Sequence, residues 1–307
     1  MSLAAEEPED ALALAAAARR ERARRLKGIG FMCLAVALFS VLDGSAKWLG
    51  RDLPALQITF ARYAVALVLI VVALNPLTVE RAWSTRRPWM QGARGLALFG
   101  STMFNFMAIR TLQLSEAMSI IFATPFLIAA LSGPILGERS DWRRWVAIAV
   151  GFTGVLIVTR PGAEGVNPGV FWSVAGVCCY AVYAILTRIL TRVDSTASML
   201  VISALIPTVV LAPLMPATWV WPKDLLTWTV MPVLGITGAV GHFFLIKAYA
   251  QAPAPVVAPF IYTQIVWSTL IGFVVFAEIP VLNTIVGAGV VIGSGLYLIW
   301  RETGAKA

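Results

Sequence analysis

The sequence is poor in charge and in the residues that build most enzyme centres. Only 13% of its 307 residues are charged, whereas soluble domains average about 25%. It contains one histidine and three cysteines, and no HExxH pair, phosphate-binding loop or nucleophile elbow. Cys33, Cys178 and Cys179 fall inside apolar runs, without acidic or histidine neighbours at ligand spacing. We therefore predict no enzyme activity, cofactor, metal site or disulfide framework.

What the sequence has instead is long apolar runs. Hydrophobic residues make up 59% of the chain, and the mean hydropathy is +0.82. A membrane helix needs about 20 mostly apolar residues. The runs and their breaks predict ten spans, centred near residues 38, 65, 101, 126, 151, 180, 206, 239, 265 and 290. Nine and eleven spans remain alternatives, because the third and fourth nearly touch.

The runs do not alternate apolar and polar residues, as the strands of a membrane barrel would. They also contain glycine and proline, which membrane helices tolerate because neighbouring helices satisfy the freed backbone groups. We therefore predict an all-α integral membrane protein with ten transmembrane helices.

The basic residues indicate how the chain is oriented. With the N-terminus inside, only Arg51, Arg110, Arg160 and Lys223 fall in outer segments, and Lys47 and Arg62 fall within spans. That leaves 18 of the 24 basic residues on the cytoplasmic side, which is the positive-inside pattern. We predict a multi-pass protein of the bacterial inner (cytoplasmic) membrane with both termini cytoplasmic. The net charge of +8 then reflects topology and does not indicate a nucleic-acid partner.

The segment before the first span is acidic early and basic late, without the charged-then-apolar order of a signal peptide. We interpret this segment, 1–27, as a cytoplasmic tail that is partly helical or disordered. Its basic end would lie against anionic lipid headgroups. Residues 302–307 form a second cytoplasmic tail. Monomer and homodimer are both open.

A faint internal repeat runs through the spans. At one constant shift Phe104 aligns with Phe244, Ala108 with Ala248 and Glu138 with Glu278. A shift longer by a single position aligns further pairs: Lys47 with Arg188, Arg51 with Arg192, Gly154 with Gly295, and Arg160 with Arg301. The predicted repeats are 28–162 (spans 1–5) and 163–301 (spans 6–10). An odd number of spans inverts the second repeat, an arrangement found in secondary transporters.

Three stretches carry a resemblance to a known family. They are "TLQLSEAMSIIFATPF" (111–126), "LSGPILGERSDWRRWVAIAVGFTGVLIVTRPG" (131–162) and its counterpart "FAEIPVLNTIVGAGVVIGSGLYLIW" (276–300), together with Arg62 in the second span. In these the chain resembles the drug/metabolite transporter superfamily, in its ten-span EamA branch. The resemblance implies that spans 3, 4, 8 and 9 line a central cavity. It does not transfer a substrate.

Polar residues on these cavity spans are costly in a membrane unless they pair or face a wet pathway. Helix-to-helix hydrogen bonding is the simpler alternative. As substrate-binding candidates we name those on the predicted cavity faces: Asn105, Glu116, Thr124, His242, Tyr262, Gln264 and Trp267. Arg110 and Lys247 add positive charge near the pathway, so that the set suits a carboxylate or an amino-acid-like zwitterion.

The remaining charged residues of the spans are candidates for gating or structural ion pairs. Asp43 and Lys47 are four residues apart, so they can pair on one helix face. Arg62 needs an acid, with Asp43 the nearest in sequence, or helix-end carbonyls. Glu138 and Glu278 end corresponding spans and suit interface or gate salt bridges.

Two residues are candidates for proton coupling. His242 is the side chain best suited to titrate near neutral pH, although a buried lone histidine is often a packing residue. Glu116 begins the fourth span, where it can simply cap the helix.

We predict a secondary transporter or exchanger of a small organic metabolite that works by alternating access. A channel or lipid-handling membrane protein is the alternative from another class. The resemblance to the drug/metabolite transporter superfamily implies vitamins, nucleosides and S-adenosylmethionine-like compounds as alternative substrates.

Overall fold

The computed structural model describes residues 7–74, 84–124, 126–128, 131, 142–159, 167–190, 193–252 and 258–304. Within these ranges every regular element is helical and no strand occurs. The prediction of an all-α protein is confirmed.

We number the main helices in chain order. They are α1 (Glu7–Leu49), α2 (Ala55–Leu74), α3 (Pro88–Ala108), α4 (Leu114–Ile121), α5 (Trp142–Thr159), α6 (Pro168–Leu190), α7 (Thr196–Leu211), α8 (Leu225–Gln251), α9 (Gln264–Phe276) and α10 (Leu282–Gly304). Ala212–Leu214 and Ala258–Thr263 are 3₁₀ segments, and Met215–Thr218 is a single helical turn.

Local signals in the sequence fix several helix starts. Ser195 precedes α7 and accepts a hydrogen bond from the Ser198 amide at 3.1 Å. Asp224 precedes α8 and accepts one from the Thr227 amide at 2.8 Å. Both side chains satisfy amides that a helix leaves without intrahelical partners.

Five described segments are long and apolar enough, by length and composition, to cross a membrane. They are Ala15–Leu49, Ala55–Ala73, Pro168–Thr187, Ala197–Thr218 and Leu225–Leu245. Large apolar side chains also point away from the bundle, as lipid-facing residues do; Val72 is 75% exposed and Val274 is 70% exposed. The chain is a multi-pass membrane protein.

The first and last helices extend beyond the predicted spans. α1 is 43 residues long, and its residues 15–20 and 22–27, which include the basic segment, are exposed. The predicted N-terminal tail is therefore helical from Glu7 onward. At the other end α10 continues to Gly304, beyond the boundary predicted at residue 301.

The helices pack in pairs drawn from the two halves of the chain. α1 packs along α8, and α6 packs along α3. α2 contacts α8 as α7 contacts α3, and α1 contacts α9 as α6 contacts α4. α5 packs on α10, and α2 on α7. Each of these contacts therefore has a counterpart between the two helices whose numbers differ from theirs by five.

Close approaches recur at corresponding positions of the predicted repeats. A β-carbon on Gly28 of α1 would lie 3.2 Å from the carbonyl oxygen of Ala248 in α8. One on Gly169 of α6 would lie 3.0 Å from the carbonyl oxygen of Ala108 in α3. Gly169 is the repeat counterpart of Gly28, and Ala248 is that of Ala108. At both positions a β-carbon would require the neighbouring backbone to shift, so glycine favours the close approach, as in other membrane helix pairs.

Polar contacts follow the same correspondence. Gln57 of α2 exchanges two hydrogen bonds with the backbone of Val220, in the connection before α8, at 2.8 and 2.9 Å. Ser198 of α7, the repeat counterpart of Gln57, donates to the carbonyl of Ser84, in the connection before α3, at 2.8 Å. In both cases the second helix of one half is held by the connection that precedes the third helix of the other.

Candidate functional site

A carboxylate from α1 lies at the centre of the bundle between two amides. Asp43 is 6% exposed. Its oxygens accept hydrogen bonds from the side-chain amide of Asn105 on α3 at 3.0 Å and of Gln264 on α9 at 3.4 Å. Helices from both halves therefore meet at this one carboxyl group.

A guanidinium from α2 lies next to this carboxylate. Arg62 donates to the hydroxyl of Thr102 on α3, which also shares a hydrogen bond of 2.7 Å with the Tyr63 hydroxyl. Its charge lies 5.0 Å from the ring centre of Tyr63 and 5.8 Å from that of Phe106. Among the described residues Arg62 forms no ion pair.

The histidine of α8 completes the group. His242 packs edge-on against Phe39 of α1, with ring centres 5.0 Å apart. Arg62 reaches α8 one turn before His242, since a β-carbon on Gly238 would lie 3.6 Å from the Arg62 Nε. We call Asp43, Arg62, Thr102, Asn105, His242 and Gln264 the central polar cluster. They come from α1, α2, α3, α8 and α9.

Two serines hold α1 against α9 beside the cluster. The hydroxyl of Ser40 donates to the carbonyl of Val36 in its own helix at 3.0 Å, and it lies 3.2 Å from the Ser268 hydroxyl and 3.4 Å from the Gln264 carbonyl oxygen. Both serines are fully buried. Interhelical serine contacts allow helices to pack closely in a membrane. They position Gln264 relative to Asp43.

A largely buried ion pair helps to hold one end of the bundle together, where α3 connects to α4. Lys47 at the end of α1 pairs with Glu278, which follows α9, and also donates to the carbonyl of Leu112. Glu278 accepts a further hydrogen bond from the Leu114 amide at 3.2 Å. The two charged side chains are only 12% and 18% exposed. We call this the Lys47–Glu278 tie.

A left-handed residue at the end of α9 positions Glu278. Ala277 adopts a left-handed backbone conformation, with φ of 55°, and ends α9. The Glu278 amide then donates back to the Gly272 carbonyl at 2.9 Å. This is a helix C-terminal motif in which a non-glycine residue is strained.

A second network holds the opposite end, where α3 begins. Arg94 of α3 is 2% exposed and donates to the Gln91 side chain at 3.0 Å, the Met199 carbonyl at 2.6 Å and the Ser203 hydroxyl at 2.9 Å. Gln91 in turn donates to Asp194, between α6 and α7, at 2.8 Å. α3 is about 30 Å long, so this network and the Lys47–Glu278 tie lie near opposite ends of the bundle.

The carboxylate of this network should make stability depend on acid. Partial burial raises the pKa of Asp194, but hydrogen bonds from Thr85, the Arg86 amide and Gln91 bring it below its ordinary value of 3.8. A lowered folded-state pKa adds stability above the unfolded value, which is lost as the pH falls through the folded one. We expect the thermal midpoint in detergent to drop below about pH 4.

The matched variants test this prediction. Asp194→Asn should lower the midpoint at neutral pH and remove this part of the acid dependence. Asp52→Asn, which changes an exposed aspartate between α1 and α2, should leave the dependence in place. The same acid-induced drop in Asp194→Asn as in the wild type would contradict the assignment.

The structure separates the predicted binding residues into two groups. Asn105, His242 and Gln264 lie in the central polar cluster. Glu116 lies at the start of α4, where it accepts a hydrogen bond from the Gln113 amide at 3.1 Å in a capping box. The hydroxyl of Thr124, which lies just beyond α4, donates to the carbonyl of Ile121 at the end of that helix.

The two aromatic candidates lie away from the cluster. Tyr262 packs edge-on against Phe122, with ring centres 5.1 Å apart, and its hydroxyl is directed at Gly295 of α10. Trp267 is 38% exposed, on the same side of α9 as Leu270 and Val274, which are 50% and 70% exposed. Among the positive residues, Lys247 is exposed above the ring of Phe243.

The expected ion pairs are corrected in two places. Lys47 pairs with Glu278 and not with Asp43, because Asp43 lies a turn deeper, where Asn105 and Gln264 reach it. Arg62 bonds to the Thr102 hydroxyl, and within the described ranges it bonds neither to an acid nor to a helix-end carbonyl. Glu138 lies outside the described residues.

Some of the residues that hold the bundle together were not singled out from the sequence. Arg94 was counted only as a cytoplasmic positive charge, yet it is almost completely buried. Its position three residues after Gln91 on one helix face was the available signal. Ser40 and Ser268 carried no signal, because serines are common in membrane helices and their contact joins residues 228 positions apart.

Long apolar helices around a polar centre define a helical membrane protein of the kind that handles small solutes. The family model of the EamA-like transporter family matches the chain twice, over residues 26–160 and 167–301. The chain belongs to the EamA-like transporter family, within the drug/metabolite transporter superfamily that the sequence resembled. It is a transporter by family.

Relatives with named substrates align along nearly the whole chain. An S-adenosylmethionine uptake transporter of Rickettsia conorii is 30% identical, over 90% of this chain and 94% of its own length. A riboflavin transporter of Vibrio cholerae is 25% identical, over 91% and 94%. A pseudopaline exporter of Pseudomonas aeruginosa is 26% identical, over 90% and 97%.

A solved structure shares the fold. This crystal structure of a protein aligns with a TM-score of 0.62 over 89% of this chain and 98% of its own. The sequences are 19% identical.

Proposed function

We propose that the protein is a secondary active transporter or exchanger that moves an amino-acid-like zwitterion across the cytoplasmic membrane by alternating access. The observation that carries the proposal is the central polar cluster. In this cluster the buried carboxylate of Asp43 and the guanidinium of Arg62 lie where helices of both halves meet. Arg62 has no ion-pair partner among the described residues. Intramembrane charges of this kind mark substrate pathways.

The named relatives favour S-adenosylmethionine as the first substrate to test. It ends in an α-amino acid, with an ammonium and a carboxylate, and it carries a sulfonium as well. Four Rickettsia proteins with this substrate name are 29–30% identical to the chain. Riboflavin is the second candidate, because riboflavin transporters also align over most of the chain.

We further propose ten spans arranged as two inverted five-helix repeats, residues 28–162 and 163–301. Two family matches with boundaries near these support the division. The glycine contacts of Gly28 and Gly169 and the polar contacts of Gln57 and Ser198 support a two-fold relation between the halves. Since each repeat has five spans, the second would enter the membrane inverted.

The charge distribution supports an orientation with both termini in the cytoplasm. Residues 109–113 and the Lys47–Glu278 tie would then face outside, and the Asp194 network would face the cytoplasm. Cysteine labelling in a cysteine-free protein tests this: Thr218→Cys should react with an impermeant reagent from outside, and Ser84→Cys only after permeabilisation. Labelling of Ser84→Cys in intact cells would reverse the orientation.

The basic segment at residues 19–27 would rest on anionic headgroups of the inner leaflet. A small-molecule substrate and membrane lipids are the partners we propose. The protein would act as a monomer or a homodimer, and neither a nucleic acid nor a cofactor or metal enters the proposal.

Transport into proteoliposomes tests the function. We expect uptake of labelled S-adenosylmethionine that saturates with concentration and is accelerated by unlabelled substrate inside. Cys178→Ala serves as the variant control, since Cys178 is exposed on the outside of α6. Uptake that rises linearly and shows no counterflow would favour the alternative, a channel. Saturable uptake of riboflavin alone would favour the second substrate.

We propose His242 as the first coupling residue to test, with Glu116 as the second. His242 lies in the central polar cluster, whereas Glu116 is engaged in its capping box. In proteoliposomes His242→Gln should abolish uptake driven by a pH gradient and spare exchange at zero gradient. Unchanged gradient-driven uptake would remove His242 from the mechanism and leave Glu116 or facilitated exchange.

A further inference from the structure

One acceptor in the central polar cluster has no partner. Asn105 donates its side-chain amide to Asp43, but its side-chain oxygen is buried and forms no hydrogen bond with any described residue. Buried polar atoms are nearly always satisfied in folded proteins. An orphaned oxygen beside a carboxylate therefore points to a ligand that donates.

The carboxylate beside it also has capacity left. Each oxygen of Asp43 accepts one hydrogen bond, and a carboxylate has about four acceptor positions. No lysine, arginine or histidine of the described residues forms an ion pair with Asp43. Among the described residues the site thus presents a carboxyl group with at least three acceptor positions that have no donor.

The ligand group that fits is a primary ammonium. It is positively charged and has three N–H donors, enough to reach the Asn105 oxygen and Asp43 together. A sulfonium has the charge but no N–H, so it would leave the Asn105 oxygen unsatisfied. The chemistry of the acceptors therefore distinguishes between the two cations that S-adenosylmethionine carries.

On the neighbouring helix Arg62 presents the complementary chemistry. Only one of its N–H groups has a partner among the described residues, the Thr102 hydroxyl. The rings of Tyr63 and Phe106 flank the guanidinium and limit its movement. A planar guanidinium with free N–H groups is the side chain best matched to a carboxylate, which it can bind through two parallel hydrogen bonds.

We infer that Asp43 and Asn105 bind the ammonium of the substrate and that Arg62 binds its carboxylate, so that the protein selects the α-amino-acid end of its substrate. The inference rests on the proposed function and deepens it. Selection would then lie in the amino-acid head, and the remainder of the substrate would be recognised less strictly.

Competition between close analogues tests the inference in the wild-type protein. S-adenosylhomocysteine keeps the amino-acid head and loses the sulfonium, so it should compete within about tenfold of S-adenosylmethionine. 5′-Methylthioadenosine lacks the head, and decarboxylated S-adenosylmethionine lacks the carboxylate. Both should compete at least about tenfold more weakly than S-adenosylhomocysteine. Equal competition by methylthioadenosine would overturn the inference while leaving the proposed transport intact.

Variants assign the two ends separately. Arg62→Gln should bring the affinities for S-adenosylmethionine and its decarboxylated analogue to within about twofold, because the carboxylate no longer has its partner. Arg62→Lys keeps the charge and should restore part of the difference. Asp43→Asn should weaken every ligand with an ammonium and spare methylthioadenosine. Cys178→Ala is the control and should change none of these ratios. Ratios that are also unchanged in the three variants of Arg62 and Asp43 would overturn the assignment.

The inference has a second test that does not need S-adenosylmethionine to be the substrate. If the wild-type protein binds no adenosyl compound, that substrate is wrong, and the head is tested with L-methionine by thermal shift. The controls are 3-(methylthio)propylamine, without the carboxylate, and 4-(methylthio)butanoate, without the ammonium. Stabilisation by methionine alone supports the inference. Equal stabilisation by either control, or none by any of the three, overturns it.

Discussion

Alanine in place of Asn105 is expected to weaken substrate binding by about tenfold to a hundredfold. The variant removes an amide that donates to Asp43 and the free oxygen next to it. Hydrogen bonds to charged groups contribute about 1.5–3 kcal/mol, and each 1.4 kcal/mol is about tenfold in Kd. The measurement is a binding titration of the purified variant, together with its uptake rate in proteoliposomes.

Gln264→Ala removes the other amide from the same carboxylate and should weaken binding in the same direction, by less, because its hydrogen bond is longer. Since both amides act through Asp43, the double variant should lose less than the sum of the two single losses. Cys178→Ala is the control, and its expression and binding should match the wild type. If Asn105→Ala and Gln264→Ala both behave like Cys178→Ala, the central polar cluster is not the binding site.

Glutamine in place of Glu278 is expected to open the end of the bundle that we propose faces outside. The variant keeps the shape of the side chain but leaves Lys47 without its counter-ion in a largely buried position. Breaking one partner of a buried pair costs several kcal/mol, and even about 1.4 kcal/mol shifts a two-state equilibrium tenfold. We therefore expect at least about a tenfold faster reaction of a cysteine at Ser40 with an impermeant thiol reagent.

The control for this experiment is another ion pair in the same protein. Glu21→Gln breaks the Arg25–Glu21 pair, whose side chains are about half exposed, and pairs of this kind contribute little. Its labelling rate should equal that of the parent. A rate in Glu278→Gln that does not exceed the rate in Glu21→Gln would mean that the tie does not hold this end closed.

The Lys47–Glu278 tie and the Asp194 network would act at the two ends of the bundle in one proposed cycle. Alternating access requires the protein to open at one end while it stays closed at the other. The Lys47–Glu278 tie joins α1, α4 and α9 at one end, and the Asp194 network joins α3, α6 and α7 at the other. The central polar cluster lies between them, within reach of helices from both halves.

The fold class could be read from the sequence because it depends on composition summed over long stretches. Apolar residues in runs of about 20 determine that the chain is solvated by lipid, and in lipid the backbone must satisfy its own hydrogen bonds, so the runs are helices. The repeat stays a prediction, which the sequence indicated through matches such as Ala108 with Ala248. Asn105, His242 and Gln264 could be named as candidates from the sequence because uncompensated polar groups are rare in such runs.

The partners of the charged residues were decided only by the tertiary structure. Asp43 and Lys47 share a helix face, and the sequence favoured a pair between them. The packing of α1 against α3 and α9 instead brings Asn105 and Gln264 to the carboxylate and Glu278 to the lysine. The packing of α3 against α7 buries Arg94, and Trp267 of α9 is turned toward the outside of the bundle. A sequence specifies which side chains need a partner, since that cost is local, whereas the partner depends on the rotation and crossing of helices that lie far apart along the chain.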